Sequence, residues 1–87
     1  MFHVEFSKTA MKQLKKMEKP TAALILGWIE KNLDNSTNPR SHGKALLGNK
    51  AGLWRYRVGD YRIIANIIDD KVLIFVVQIG HRRDIYD

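Results

Sequence analysis

Residues 53–79 read LWRYRVGDYRIIANIIDDKVLIFVVQI, and the alternation inside this stretch decides the fold. Trp54, Tyr56 and Val58 alternate with Arg55 and Arg57, the period-two pattern of a strand with one buried face. Gly59-Asp60 supplies a tight turn and Tyr61 to Ile68 a second strand, so the segment predicts a hairpin. Asp69-Asp70-Lys71 makes the next turn. Val72 to Ile79, rich in Val and Ile, is expected to be covered on both faces and to lie centrally in a sheet.

Toward the N-terminus, Phe2, Val4 and Phe6 alternate with His3 and Glu5, which predicts a short first strand. Ser7 can cap a helix reaching Glu18, with Ala10, Leu14 and Met17 on one face and Lys8, Lys12, Lys15 and Lys19 on the other. Pro20 interrupts that pattern, and Thr21 can cap a second helix to about Leu33, striped by Ala22, Ile25, Leu26, Ile29 and Leu33. Leu24 and Trp28 fall off the stripe and fit either a partner protein or the first helix.

Asp34 to Gly43 (DNSTNPRSHG) is a loop by composition, leading into Lys44-Ala45-Leu46-Leu47, and Gly48 to Gly52 is a second loop. Gly80 to Asp87 reads as a polar tail. The order predicts an α+β fold: an N-terminal strand, a two-helix hairpin, then three antiparallel strands forming a sheet with the helices on one face. Residues 1–87 make a single domain by size.

Composition narrows the chemistry. Hydrophobic residues make up 45% and charged residues 28%, which supports a packed core. The chain contains no cysteine, which removes disulfides, thiolate nucleophiles and cysteine-ligated zinc, and points to a reducing, cytoplasmic compartment. Its longest apolar run, Val72 to Val77, is far short of the roughly 20 residues of a membrane span. Fifteen Lys and Arg against nine Asp and Glu give a net charge of +6, which suits a polyanionic partner or simple solubility.

The side chains that could carry chemistry gather in two places. Alternation puts Arg55 and Arg57 on one strand face, and Arg62, just past the turn, is expected beside them. Guanidinium forks match phosphate oxygens, whereas a solvated face charged to prevent edge association is the plainer explanation. The tail adds His81, Arg82, Arg83 and Tyr86. RNA carries its own nucleophile, so cutting it requires deprotonation of a 2′-hydroxyl, neutralisation of the phosphorane and protonation of the leaving 5′-oxygen. Arginines can hold the phosphorane, Tyr86 can stack or hydrogen-bond a base or ribose, and His81 can move a proton near neutrality. His3, His42, His81 and the aspartates stand at no metal-ligand spacing, so neither metal nor cofactor is expected. No elbow-like glycine pattern supports Ser7, Ser36 or Ser41 as a nucleophile.

Positions 42 to 86, HGKALLGNKAGLWRYRVGDYRIIANIIDDKVLIFVVQIGHRRDIY, contain Lys-x-Leu, Trp-Arg-x-Arg, Gly-x-Tyr-Arg and Gly-His-Arg-x-x-x-Tyr in an order and spacing that resembles the RelE family of toxin–antitoxin ribonucleases. The first 41 residues match more loosely, as a strand and a helix hairpin. The resemblance implies a toxin that enters the ribosomal A site and cleaves mRNA there, leaving 2′,3′-cyclic phosphate and 5′-hydroxyl ends and so inhibiting translation. Carried over by position, Arg55 and Arg57 are the basic pair, Arg62 the phosphate-binding arginine, Arg82 the tail arginine and Tyr86 the C-terminal tyrosine. Lys44 falls at the rim of the groove. Arg83 and the helix lysines Lys8, Lys12 and Lys15 are further RNA-binding candidates.

The best-studied branch of the family has lysines where this chain has Arg55 and Arg57. Arginine is a poor general base, so proton abstraction passes to His81 as first choice and His42 as second, or is assisted by ribosomal RNA. The resemblance further implies a RelB-like antitoxin as cognate partner and contact with promoter DNA only through that complex. Two other readings stand beside it. One is a ParE-like toxin acting on DNA gyrase; the other is a non-catalytic RNA-binding module with stacking aromatics.

Overall fold

The structure, a computed structural model, describes residues 1–83. A mixed α+β fold forms as expected, with strand β1 (His3–Phe6), helices α1 (Lys8–Lys16) and α2 (Lys19–Asn32), a two-residue strand β2 (Lys44–Ala45), and strands β3 (Trp54–Val58), β4 (Tyr61–Ile68) and β5 (Leu73–His81). The sheet has five strands in the order β1-β5-β4-β3-β2, and the pairs β2–β3, β3–β4 and β4–β5 are antiparallel. β1 departs from the antiparallel pattern by pairing parallel to β5, from His3 opposite Leu73 to Phe6 opposite Val76. A parallel partner requires a long crossover, and the two helices supply it.

One face of the sheet is closed by the helices. Ala10, Leu14, Ile25, Ile29 and Leu33 pack against Tyr56, Ile63, Ile74, Val76 and Ile79, with Phe2, Val4 and Phe6 bordering them. Complete burial of each such aliphatic side chain contributes roughly 1.5–3 kcal/mol. On the opposite face Leu46 and Ile64 form a smaller cluster with Leu53 against it. β5 therefore does not carry equally covered faces: Ile74, Val76 and Ile79 are fully buried, while Phe75 and Val77 are only half-buried. Flanked by β1 and β4, β5 lies one place from the middle of the sheet, which β4 occupies.

The helix boundary differs from the sequence expectation. α1 ends at Lys16, and Met17 and Glu18 are extended. A continuous helix would drive the Pro20 ring into the Lys16 carbonyl, which it also could not hydrogen-bond. Pro20 instead sits in the first turn of α2, where its missing N–H costs nothing. Thr21 thus lies inside the helix, and Glu18 takes the capping position without a side-chain hydrogen bond.

Ser7 caps α1 as its sequence predicts, its Oγ accepting from the Ala10 N–H at 3.0 Å. The same hydroxyl donates to the Val77 carbonyl at 2.6 Å, and Gln13 Oε1 accepts from the Ile79 N–H at 2.6 Å. β1 covers β5 only as far as Val76. Beyond that point two side chains of the first helical segment satisfy backbone groups on an edge that would otherwise stay unpaired.

The Asp69–Lys71 turn is a 3-10 turn, and Val72 after it is left-handed at φ 52°. That conformation is uncommon for a β-branched residue. β5 accordingly begins at Leu73 and runs through Gly80 and His81, which belong to the strand and not to a tail.

Candidate functional site

Residues directly opposite each other in a sheet project from the same face. Lys44 lies opposite Arg55, and Arg57 opposite Arg62, which in turn lies opposite Gly80. One face therefore presents Lys44, Arg55, Arg57 and Arg62 in neighbouring positions across three strands. The hairpin turn allows this: Gly59 is left-handed at φ 59°, and only the pair Val58–Tyr61 separates Arg57 and Arg62 from the turn.

Arg57, Arg62 and Arg82 line one small cleft of about 70 Å³, together with Gly59, Asp60 and Tyr61. The Arg82 N–H donates to the Asp60 carbonyl at 2.8 Å, which ties the end of β5 to the β3–β4 turn and brings Arg82 to the other two arginines. A carboxylate, Asp60, does border this cleft. Among the described residues, however, neither Arg57 nor Arg82 enters an ion pair, whereas Arg40 pairs with Asp69 between the 34–43 loop and the turn before β5.

A larger cleft of about 270 Å³ adjoins it, lined by Trp28, His42, Gly43, Lys44, Arg55 and Arg57. Arg57 borders both. β2 pairs with β3 only at Trp54 and Arg55, so this cleft opens along the free edge of β3 where α2 and the 34–43 loop approach it. The loop is held by polar contacts to the sheet. Tyr56 Oη donates to the Pro39 carbonyl at 2.7 Å, Trp54 Nε1 donates to the His42 carbonyl at 2.6 Å, and Arg40 grips Asp69 with two bonds of 2.9 Å. Burial pushes the Tyr56 phenol well above its usual range, with Arg40 acting weakly in the opposite sense. The Arg40 guanidinium holds the Asp69 carboxyl below the ordinary carboxylate range.

Gly43 shows how closely the loop approaches. At φ 76°, a Cβ there would stand 2.1 Å from the Arg55 carbonyl oxygen and 2.8 Å from Trp54 Nε1. Trp28 completes the wall, its ring 5.7 Å from that of Tyr56 and 5.7 Å from that of His42. Trp28 therefore packs on the sheet and the loop, whereas Leu24 is 61% exposed.

His81 does not join the arginines. It lies opposite Tyr61, which lies opposite the core residue Val58, so its imidazole projects toward the helices. There it meets the Tyr61 ring edge-on at 5.3 Å and borders a groove with Gln13, Lys16 and Met17. Its Nδ1 accepts from the Arg83 N–H at 3.2 Å. Because the strand continues through His81, alternation places it on the face opposite Arg62. Lys8, Lys12 and Lys15 are exposed on α1, across the sheet from the arginines, and Arg83 is exposed. Tyr86 lies outside the described residues. Trp28 and Gly43 are the cleft residues that the sequence reading did not single out for the site. The off-stripe position of Trp28 and the His-Gly step before Lys44 were their available signals.

Among the described residues no group of three or more His, Asp or Glu could hold a metal ion, and no helix is long and apolar enough to cross a membrane.

The sequence profile described as the ParE toxin of type II toxin–antitoxin systems, parDE, matches residues 4–86. Toxin RelG of Mycobacterium tuberculosis is 31% identical over 85 residues, covering 98% of this chain and 95% of its own. The chain is a RelE-type member of the ParE toxin family. Toxin RelE of the same organism is also 31% identical over 85 residues, spanning 98% of this chain and 86% of that one. This RelE-type fold is closely matched by the crystal structure of the RelBE2 toxin–antitoxin complex from Mycobacterium tuberculosis. That structure has a TM-score of 0.85 and 27% identity, covering 93% of this chain and 98% of that one.

Proposed function

We propose that this RelE-type toxin is an endoribonuclease that cleaves mRNA in the ribosomal A site by attack of a 2′-hydroxyl on the adjacent phosphate. The observation that carries the reading is the convergence of Arg57, Arg62 and Arg82 on one cleft, with Arg55 and Lys44 in the adjoining one. Guanidiniums at fixed positions can stabilise the pentacoordinate phosphorane as its charge develops, and such donors are most effective when positioned in advance. Lys44 and Arg55 extend the positive track for flanking phosphates. Tyr86 is proposed to stack on or hydrogen-bond the substrate, and Arg83 with Lys8, Lys12 and Lys15 to contact ribosomal RNA. No metal or covalent intermediate enters the scheme. A RelB-like antitoxin is the proposed partner, since the RelE-type neighbour was solved as a toxin–antitoxin complex, and promoter DNA would be reached only through it.

The test is purified protein with programmed ribosomes, the messenger's ends mapped for a 2′,3′-cyclic phosphate and a 5′-hydroxyl, repeated with Arg62→Ala and Tyr86→Ala. Cleavage by the wild type and its loss in both variants supports the reading. Uncut messenger together with stalled DNA gyrase would favour the ParE-type activity, the alternative kept in view by the family profile.

A further inference from the structure

The cleft beside the arginines contains a group able to accept a proton. We propose that His42 takes the proton of the attacking 2′-hydroxyl, an inference that rests on the ribonuclease reading above.

Of the three histidines, His42 alone borders the basic clefts. His3 lies on β1, at the far edge of the sheet from β3, and His81 faces the helices with Nδ1 engaged by Arg83. Neither imidazole nitrogen of His42 makes a hydrogen bond among the described residues, so both remain available to a substrate hydroxyl. Its position is nevertheless determined. The Trp54 indole holds the His42 carbonyl at 2.6 Å, the left-handed Gly43 presses the chain onto β3, and the Trp28 ring meets the imidazole edge-on at 5.7 Å and 72°.

The charged groups facing the cleft are Lys44 from β2 and Arg55 and Arg57 from β3; α2 contributes the uncharged Trp28. Guanidinium and ammonium groups are donors without an acceptor lone pair, which leaves the imidazole.

In the step, the 2′-O–H bond breaks and its proton passes to a ring nitrogen of His42. The 2′-oxygen forms the new bond to phosphorus, and the bond from phosphorus to the 5′-oxygen of the next nucleotide breaks. That oxygen takes a proton from solvent, and the imidazolium later returns one to solvent, so no water or other co-reactant is consumed.

The experiment is single-turnover cleavage on programmed ribosomes from about pH 5 to 8, with wild type, His42→Gln, His81→Gln, and His42→Ala with and without added imidazole. Loss of a general base predicts a fall of about 100-fold or more in His42→Gln, the disappearance of the rising acidic limb, and partial rescue of His42→Ala by imidazole. Ribosome binding and thermal unfolding should match the wild type, because the residue is exposed. Wild-type rate and pH profile in His42→Gln would overturn the inference. So would a slow His42→Gln that keeps the profile while His42→Ala gains nothing from imidazole, the signature of a contact that only positions. A slow His81→Gln beside a normal His42→Gln would move the role to His81. A wild type that leaves messenger uncut would instead remove the ribonuclease reading, and this inference with it.

Discussion

The two faces of one sheet do opposite work here, and β3 shows it residue by residue. Tyr56 and Val58 are buried under the helices, while Arg57, between them, is exposed in the cleft it shares with Arg62 and Arg82. The packed face gains stability from close contact and tolerates no charge. The basic face collects like charges, which repel, and it can do so because the other face carries the stability.

The largest effect should separate the faces cleanly. Ile63→Ala, at a fully buried position, removes packing and leaves a cavity, so urea unfolding should show a loss of roughly 2–5 kcal/mol. Arg57→Ala should change stability by less than about 0.5 kcal/mol while slowing cleavage on the order of 100-fold. Equal losses of stability in both would break the comparison.

Gly43 stands where the faces meet. Gly43→Ala faces both a left-handed φ and a carbonyl oxygen 2.1 Å from the new Cβ, so it should cost more than about 1 kcal/mol and impair cleavage as well. Unchanged unfolding would mean that the loop approaches β3 less closely.

Tyr56→Phe removes the donor that satisfies the Pro39 carbonyl and should lower stability by about 1–3 kcal/mol in thermal or urea unfolding. Ser7→Ala removes both the cap of α1 and the bond to the edge of β5, for about 0.5–2 kcal/mol. Amide exchange at Ala10 and along residues 77–79 would localise that loss.

The smallest effect concerns the Arg40–Asp69 pair. The folded pKa of Asp69 is depressed, so the pair's contribution is present above the unfolded value of about 3.9 and is lost as pH falls through the lower folded value. Both groups are largely exposed, so the effect is small and screened by salt. The Tm difference between wild type and Asp69→Asn should shrink as pH drops below about 4 and should be weaker at high salt. A difference that grows with acidity would contradict this.

Alternation made most of the architecture legible. The period of two in residues 2–6 and 53–58, the β-branched runs of 61–68 and 72–79, the capping Ser7 and the apolar stripes of both helices follow from local sterics and burial, which operate within a few residues. The same logic put Arg55 and Arg57 on one face, and Arg62 beside them followed from the tightness of the Gly59-Asp60 turn. The family resemblance stated from residues 42–86 agrees with the profile and with the relatives.

What sequence by itself determined, then, is which residues share a face within each element, because side-chain direction repeats with the local backbone. Tertiary structure alone decided which faces meet. The parallel pairing of β1 with β5, the approach of Trp28 and His42 to the arginines, and the removal of His81 to the helix side all depend on where strands end and on contacts between distant segments. The extra residue Val77 at the β4–β5 bulge reverses the direction of every later side chain in β5, and no local pattern marks where such a bulge falls.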